Sequence, residues 1–181
     1  IIAQSRLAIE PTDTTETLSD RLSHLGAELL TETLAAWLGG EIQAKQQDDS
    51  QATYAPRILR SDGLVNWRLA VVEIDRRIRA FTLWPGGYTS YQGKTLKILR
   101  ARAGLAMPAR GISLRSTASA SFLSHGESRT PGTVVRCDGE IAVVTGHGLL
   151  VLERVQLAGK RAMEAQAFVR GRRNCVGSML A

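Results

Sequence analysis

Leu18, Leu22, Leu25 and Leu29 recur at i, i+4, i+7 and i+11, and Leu30, Leu34 and Trp37 widen the stripe. That spacing predicts a helix with one apolar face. Asp13 with Glu16 three residues later resembles a capping box with Asp in place of Ser or Thr, and Gly39-Gly40 supplies the stop. Such a stripe needs a partner, and the residues before position 50 offer little core to provide one. The chain therefore reads as the downstream part of something longer. Ile1-Ile2-Ala3 reads as a strand already inside a fold, ahead of a turn at Glu10-Pro11-Thr12-Asp13. Residues 41–53 are polar without period and read as a linker.

A second apolar face, Val71, Ile74, Ile78 and Phe81, predicts a helix over 70–81, broken by Trp84-Pro85-Gly86-Gly87. The period then shortens. Strands are expected over 88–92 and 95–102 around Gly93-Lys94, and over 133–137 and 140–145 around Asp138-Gly139. A fifth is expected over 149–157, after Gly146-His147-Gly148, and a last short helix near 163–170. Residues 103–130, rich in Ala, Ser, Gly and Arg, read as a long loop. Short strands with an intervening and a terminal helix predict an α+β architecture built on a small closed barrel of the OB type.

Charge divides the chain at the same linker. Of its 23 basic and 17 acidic side chains, residues 1–50 hold three and nine, and the remainder hold 20 and eight. The formal charge of +6 thus averages an acidic piece and a strongly basic one, and the basic piece is a candidate polyanion binder. Two cysteines, Cys137 and Cys175, are too few for a disulfide framework, and reduced thiols in a cytoplasmic setting are the simplest reading. The three histidines lie far apart and no C-x-x-C pair occurs, so no metal site is expected. No apolar run approaches the roughly 20 residues that span a bilayer.

No hydrolase elbow, P-loop, zincin or dinucleotide fingerprint occurs either. Gly146-x-Gly148 reads as turn chemistry, His24 as a surface or core-edge residue, and Cys137 as a strand end. What remains is the basic surface. Charge and turn placement single out Arg57, Arg60, Arg79, Lys94, Lys97, Arg100, Lys160 and Arg161 as candidate phosphate contacts. Arg outnumbers Lys, which suits phosphate and base-edge geometry. Aromatic residues make up only 5%, so a grip on a folded backbone is favoured over stacking platforms.

Ordered motifs add a resemblance. Thr53-Tyr54-Ala55-Pro56-Arg57, Asp62-Gly63-x-x-Asn66-Trp67 and Ile78-Arg79-Ala80-Phe81-x-x-Trp84-Pro85-Gly86 resemble the linker and C-terminal domain of the methionyl-tRNA formyltransferase family. Gly93-Lys94-x-x-Lys97-Ile98, Pro131-Gly132-Thr133-Val134, Thr145-Gly146-x-Gly148 and Gly159-Lys160-Arg161-x-Met163 continue the match. Asp13-Thr14-x-x-Thr17-Leu18-x-x-Arg21-Leu22-x-x-Leu25-Gly26-Ala27 resembles the closing helix of that family's catalytic domain. Asn66 departs from the usual Asp before the Trp, Thr82-Leu83 from the usual Asn-Pro, and the 103–130 loop is long and Arg/Ser-rich for the family.

The resemblance implies a strand and helix left from a Rossmann-like formyltransferase domain over 1–43, a linker over 44–61 and an OB-like tRNA-binding domain over 62–181. It implies formyl transfer from 10-formyltetrahydrofolate to the methionine of initiator Met-tRNA by the whole enzyme. The catalytic Asn, His and Asp and the folate loop fall outside this chain, so it carries over no catalytic or folate-binding residue. A monomer that holds tRNA is the expectation. Two alternatives stand beside it: a stand-alone OB-type nucleic-acid-binding module, or the barrel of a sugar-nucleotide formyltransferase.

Overall fold

The computed structural model describes residues 1–104 and 130–181, so residues 105–129 of the expected 103–130 loop lie outside the described residues. The chain divides into two compact units, Ile1–Ile58 and Leu59–Ala181.

In the first unit the leucine stripe forms helix α1, Thr15–Leu38. Its capping box is one residue later than expected: Thr14 accepts from the Thr17 N–H, and the Thr17 hydroxyl oxygen accepts from the Thr14 N–H. Asp13 serves the entry differently. Its carboxylate accepts from the Glu10 N–H at 2.7 Å, from the Thr17 hydroxyl at 3.1 Å and from Arg21 at 2.6 Å. Gly40, at φ +74°, follows the C-cap Gly39 as the stop the sequence predicts. The opening strand is not formed. Ile1 exchanges two backbone hydrogen bonds with Lys45 and residues 1–10 join no ladder, since a strand needs a neighbour along its length. Leu22, Leu30, Leu34 and Leu38 of α1 remain exposed.

The second unit is mixed helix and antiparallel sheet. Helix α2, Val71–Ala80, buries Val71, Ile74 and Ile78. Strands β1 (Gly87–Tyr91) and β2 (Lys94–Ala103) form a hairpin whose turn is Gln92-Gly93, one residue before the expected Gly93-Lys94. Both turn residues have positive φ, 51° and 73°, as does the Asp138-Gly139 pair between β3 (Val134–Cys137) and β4 (Glu140–Val144). Strand β5 spans Leu149–Leu157. The terminal helix is shorter than expected: Met163–Glu164 pairs with β5 as β6, leaving Ala165–Arg170 as α3.

Strand order is β1-β2-β5-β4-β3, with β6 off this path on β5. The edge strands β1 and β3 do not pair with each other, so strand pairing alone does not produce the closed barrel expected from the sequence. The last residues span the gap instead. The Gly177 N–H donates to Val134 and the Val134 N–H to Ser178, Leu180 donates to Gly132, and Ala181 exchanges bonds of 2.6 and 3.1 Å with Ser90. Farther along β1, the Val65 N–H donates to Tyr88. Inside, the buried Trp67 indole donates to the Thr89 hydroxyl at 3.1 Å, and that hydroxyl donates to the Ala181 carbonyl at 3.0 Å. Trp67, Ile74, Leu96, Ile98, Val155 and Phe168 belong to the main core. Gly146 admits the backbone of Arg68 and Leu69: its N–H donates to Trp67 and Leu69 carbonyls, and a Cβ there would collide with the Arg68 carbonyl.

Thr89→Val is expected to lower the unfolding free energy by about 1–3 kcal/mol, because it strands a buried indole N–H. Thr89→Ser should retain most of it, and the urea midpoint reads both; an unchanged midpoint in the valine variant would refute the relay. The Glu10 amide above all, with Thr17 and Arg21, holds the Asp13 carboxyl below its usual value of 3.8 despite burial. A depressed folded-state value stabilises above the unfolded value and is lost as pH falls through the folded one. Acidification below about pH 4 should therefore loosen the entry to α1, read as faster amide exchange at Thr14–Thr17, and Asp13→Asn should abolish that dependence.

Candidate nucleic-acid interface

Strand register decides which cations share a surface. Thr89 and Tyr91 of β1 are buried, so Tyr88 and Ser90 face outward, and Tyr88 pairs with Lys97. Leu96 and Ile98 of β2 are buried, and Lys97 pairs on its other side with Gln156 of β5. A row of Tyr88, Lys97 and Gln156 thus crosses the outer face.

The turn after β5 brings further cations to the start of β2. The Ala158 N–H donates to Thr95 at 2.8 Å, and the Gln156 side chain donates to the Lys160 carbonyl at 3.0 Å. Gly159, at φ +75°, makes this turn, and Lys160 and Arg161 follow it. Lys94, Lys97, Lys160 and Arg161 are all exposed, and none makes an ion pair among the described residues. Exposed cations that no carboxylate among the described residues neutralises attract a polyanion.

The other four candidates differ. Arg60 is exposed on a 3-10 turn, Arg60–Gly63, that packs Gly63 against Pro85 and Gly86. Arg57 is exposed in the first unit. Arg79 is half-buried and paired with Asp75 at 3.2 Å, one helical turn back, which commits its guanidinium to α2. Arg100 is exposed, but its Nε lies 2.5 Å from Glu153.

Residue spacing gave no warning of that last pairing. Glu153 also meets Arg102, at 3.4 Å, and Arg102 reaches Glu140 at 2.5 Å. Arg100 and Glu153 are about fifty residues apart in sequence, so only β2–β5 pairing brings them together. Beside this cluster runs a groove of about 440 Å³ with Arg100, Glu140, Glu153, Glu164, Gln166 and Arg170 on its walls. Its walls carry both signs of charge.

Neither cysteine is an activated thiolate. Burial pushes the Cys137 thiol up, and the Asp138 and Glu140 carboxylates push it further. Burial likewise raises Cys175. Among the described residues no three His, Cys, Asp or Glu side chains are grouped to hold a metal ion, and no helix is long and apolar enough to cross a membrane.

The family model described as "Formyl transferase, C-terminal domain" matches residues 57–173. Over 177 residues the chain is 41% identical to a methionyl-tRNA formyltransferase of Heliobacterium modesticaldum, covering 96% of this chain and 52% of that protein. It is 34% identical over 181 residues to one of Geobacter sulfurreducens, covering 99% and 50%. The chain thus spans about half the length of the curated relatives it matches. A crystal structure of a HypX variant from Aquifex aeolicus overlays with a TM-score of 0.57 at 13% identity, over 95% of this chain and 28% of that one. That likeness concerns the fold alone.

Proposed function

The chain belongs to the formyl transferase C-terminal domain family, and from that premise we propose that it is the tRNA-holding part of a methionyl-tRNA formyltransferase. The observation that carries this reading is the set of exposed cations without acidic partners among the described residues, Lys94, Lys97, Lys160 and Arg161. Each would displace a counterion from a phosphate, an interaction that is independent of base sequence and weakens with salt. Arg60 and Arg57 extend the basic surface of their own units, and Arg100 joins through its pairing with Glu153. Arg79, tied to Asp75, plays the smaller part.

In this reading residues 62–181 form an OB-like domain whose open edges are bridged by the terminal segment, residues 44–61 link it, and residues 1–43 belong to a Rossmann-like catalytic domain. The exposed leucines of α1 fit such a setting, since an apolar stripe is stabilised only when another surface covers it. The whole enzyme, a cytoplasmic monomer, would pass the formyl group of 10-formyltetrahydrofolate to the methionine amino group of initiator Met-tRNA. Proton removal from that amine and contact with the folate would fall to residues outside this chain. The contribution of these 181 residues is then to hold the tRNA body so that its acceptor end is presented in one orientation, which converts a diffusive encounter into a positioned one.

Filter binding of initiator Met-tRNA over a salt series tests the reading. Wild-type affinity should fall steeply with salt, and joint substitution of Lys94, Lys97, Lys160 and Arg161 by Ala should flatten the log–log slope by about 0.7–0.9 for each phosphate no longer neutralised. Absent or salt-independent binding by folded protein would sink it. The isolated chain should also show no transfer of labelled formyl groups to Met-tRNA, and measurable transfer would overturn the placing of catalysis elsewhere.

A further inference from the structure

The β2–β5 ladder is interrupted where the arginines lie. Register runs Ile98↔Val155, Arg100↔Arg154 and Ala101↔Leu152, so Leu99 and Glu153 have no cross-strand partner. An unpaired residue bends a strand and re-aims its side chain, and such irregularities cluster beside functional sites. At this irregularity one carboxylate meets two guanidiniums. One Glu153 oxygen takes Arg100 Nε at 2.5 Å, and the other takes Arg102 Nε at 3.4 Å. Glu140 holds Arg102 by its Nη2. The arginine side chains stay 63% and 50% exposed, against 28% for Glu153, so the carboxylate is the more covered member of the cluster.

The surrounding charge is not arranged for stability alone. Arg100 lies directly opposite Arg154, a like-charge cross-strand pair that disfavours folding. Arg154 makes no ion pair among the described residues, although Glu164 is its partner on β6. Three guanidiniums therefore lie along one stretch of the strand pair; Glu153 meets two of them at Nε, and Glu140 meets Arg102 at Nη2.

We propose that Glu153 is a positioning residue that holds Arg100 and Arg102 as a preformed fork for two RNA phosphates. The proposal rests on the tRNA-binding reading above. Flexible arginines lose rotamer freedom when they grip a phosphate, and a fork already ordered loses less. Its consequence runs against simple charge counting, because removing this negative charge should weaken binding to a polyanion.

The test uses the 181-residue chain, with filter binding to initiator Met-tRNA across a salt series. Glu153→Ala should weaken binding about three- to tenfold, and Glu153→Gln, which keeps a carbonyl acceptor, should weaken it less. In an Arg100→Ala/Arg102→Ala background, Glu153→Ala should produce no further loss. Equal or tighter binding by Glu153→Ala, or a full loss in that background, overturns the proposal. Arginine Nε–H resonances of the free chain supply a readout independent of RNA: those of Arg100 and Arg102 should be restricted in the wild type and in Glu153→Gln, and averaged in Glu153→Ala. Unrestricted resonances in the wild type would overturn the preformed fork even if tRNA binds. Failure of the wild type to bind, with restricted resonances, would instead refute the tRNA reading and with it the fork's ligand.

Discussion

An antiparallel sheet with two unpaired edges has backbone donors and acceptors that must find partners, and the second unit is organised around that need. β1 and β3 do not reach each other, and the terminal segment 177–181 hydrogen-bonds to both. The Ala181 carbonyl accepts from the Ser90 N–H and from the Thr89 hydroxyl, and that hydroxyl in turn accepts from the Trp67 indole. Edge closure and core packing thus meet at one threonine. With those edges satisfied, the inner and outer sides of β1, β2 and β5 are fixed, and Lys97 lies on the outer one between Tyr88 and Gln156.

That surface combines two kinds of charge. Lys94, Lys97, Lys160 and Arg161 have no carboxylate partner among the described residues, so their charge is free to attract a polyanion. Around Arg100 and Arg102 two carboxylates are present: Glu153, the less exposed, meets both guanidiniums, and Glu140 holds Arg102. The first arrangement favours strength and a steep response to salt. The second favours a fixed geometry.

Much of the secondary structure is legible in the chain. β5 spans the predicted 149–157, α2 buries Val71, Ile74 and Ile78 of the predicted face while Phe81 caps its end half-buried, and the Asp138-Gly139 turn forms where two residues that tolerate positive φ fall between apolar runs. Local chemistry misleads where two solutions compete within a residue or two. Asp13 is a good cap, but Thr14 caps α1 because Asp13 gains more from Glu10, Thr17 and Arg21 together. Gln92 adopts positive φ and so displaces the turn from Gly93-Lys94. Met163 and Glu164 read as helix, yet β5 offered a free edge and they joined it.

Sequence alone determined that the chain holds an acidic, stripe-bearing segment and a basic, strand-rich one, because composition and periodicity are properties of neighbours along the chain. It also marked the basic residues as a class. Tertiary structure decided which of them act together. Arg79 faces Asp75 because a helix brings i and i+4 together, whereas the turn that carries Lys160 lies beside the start of β2 because Ala158 hydrogen-bonds to Thr95. Arg100, Arg102 and Glu153 converge because β2 pairs with β5, two strands about fifty residues apart in sequence. Charge is written residue by residue, but the distance between charges is set by the register of strands far apart in sequence.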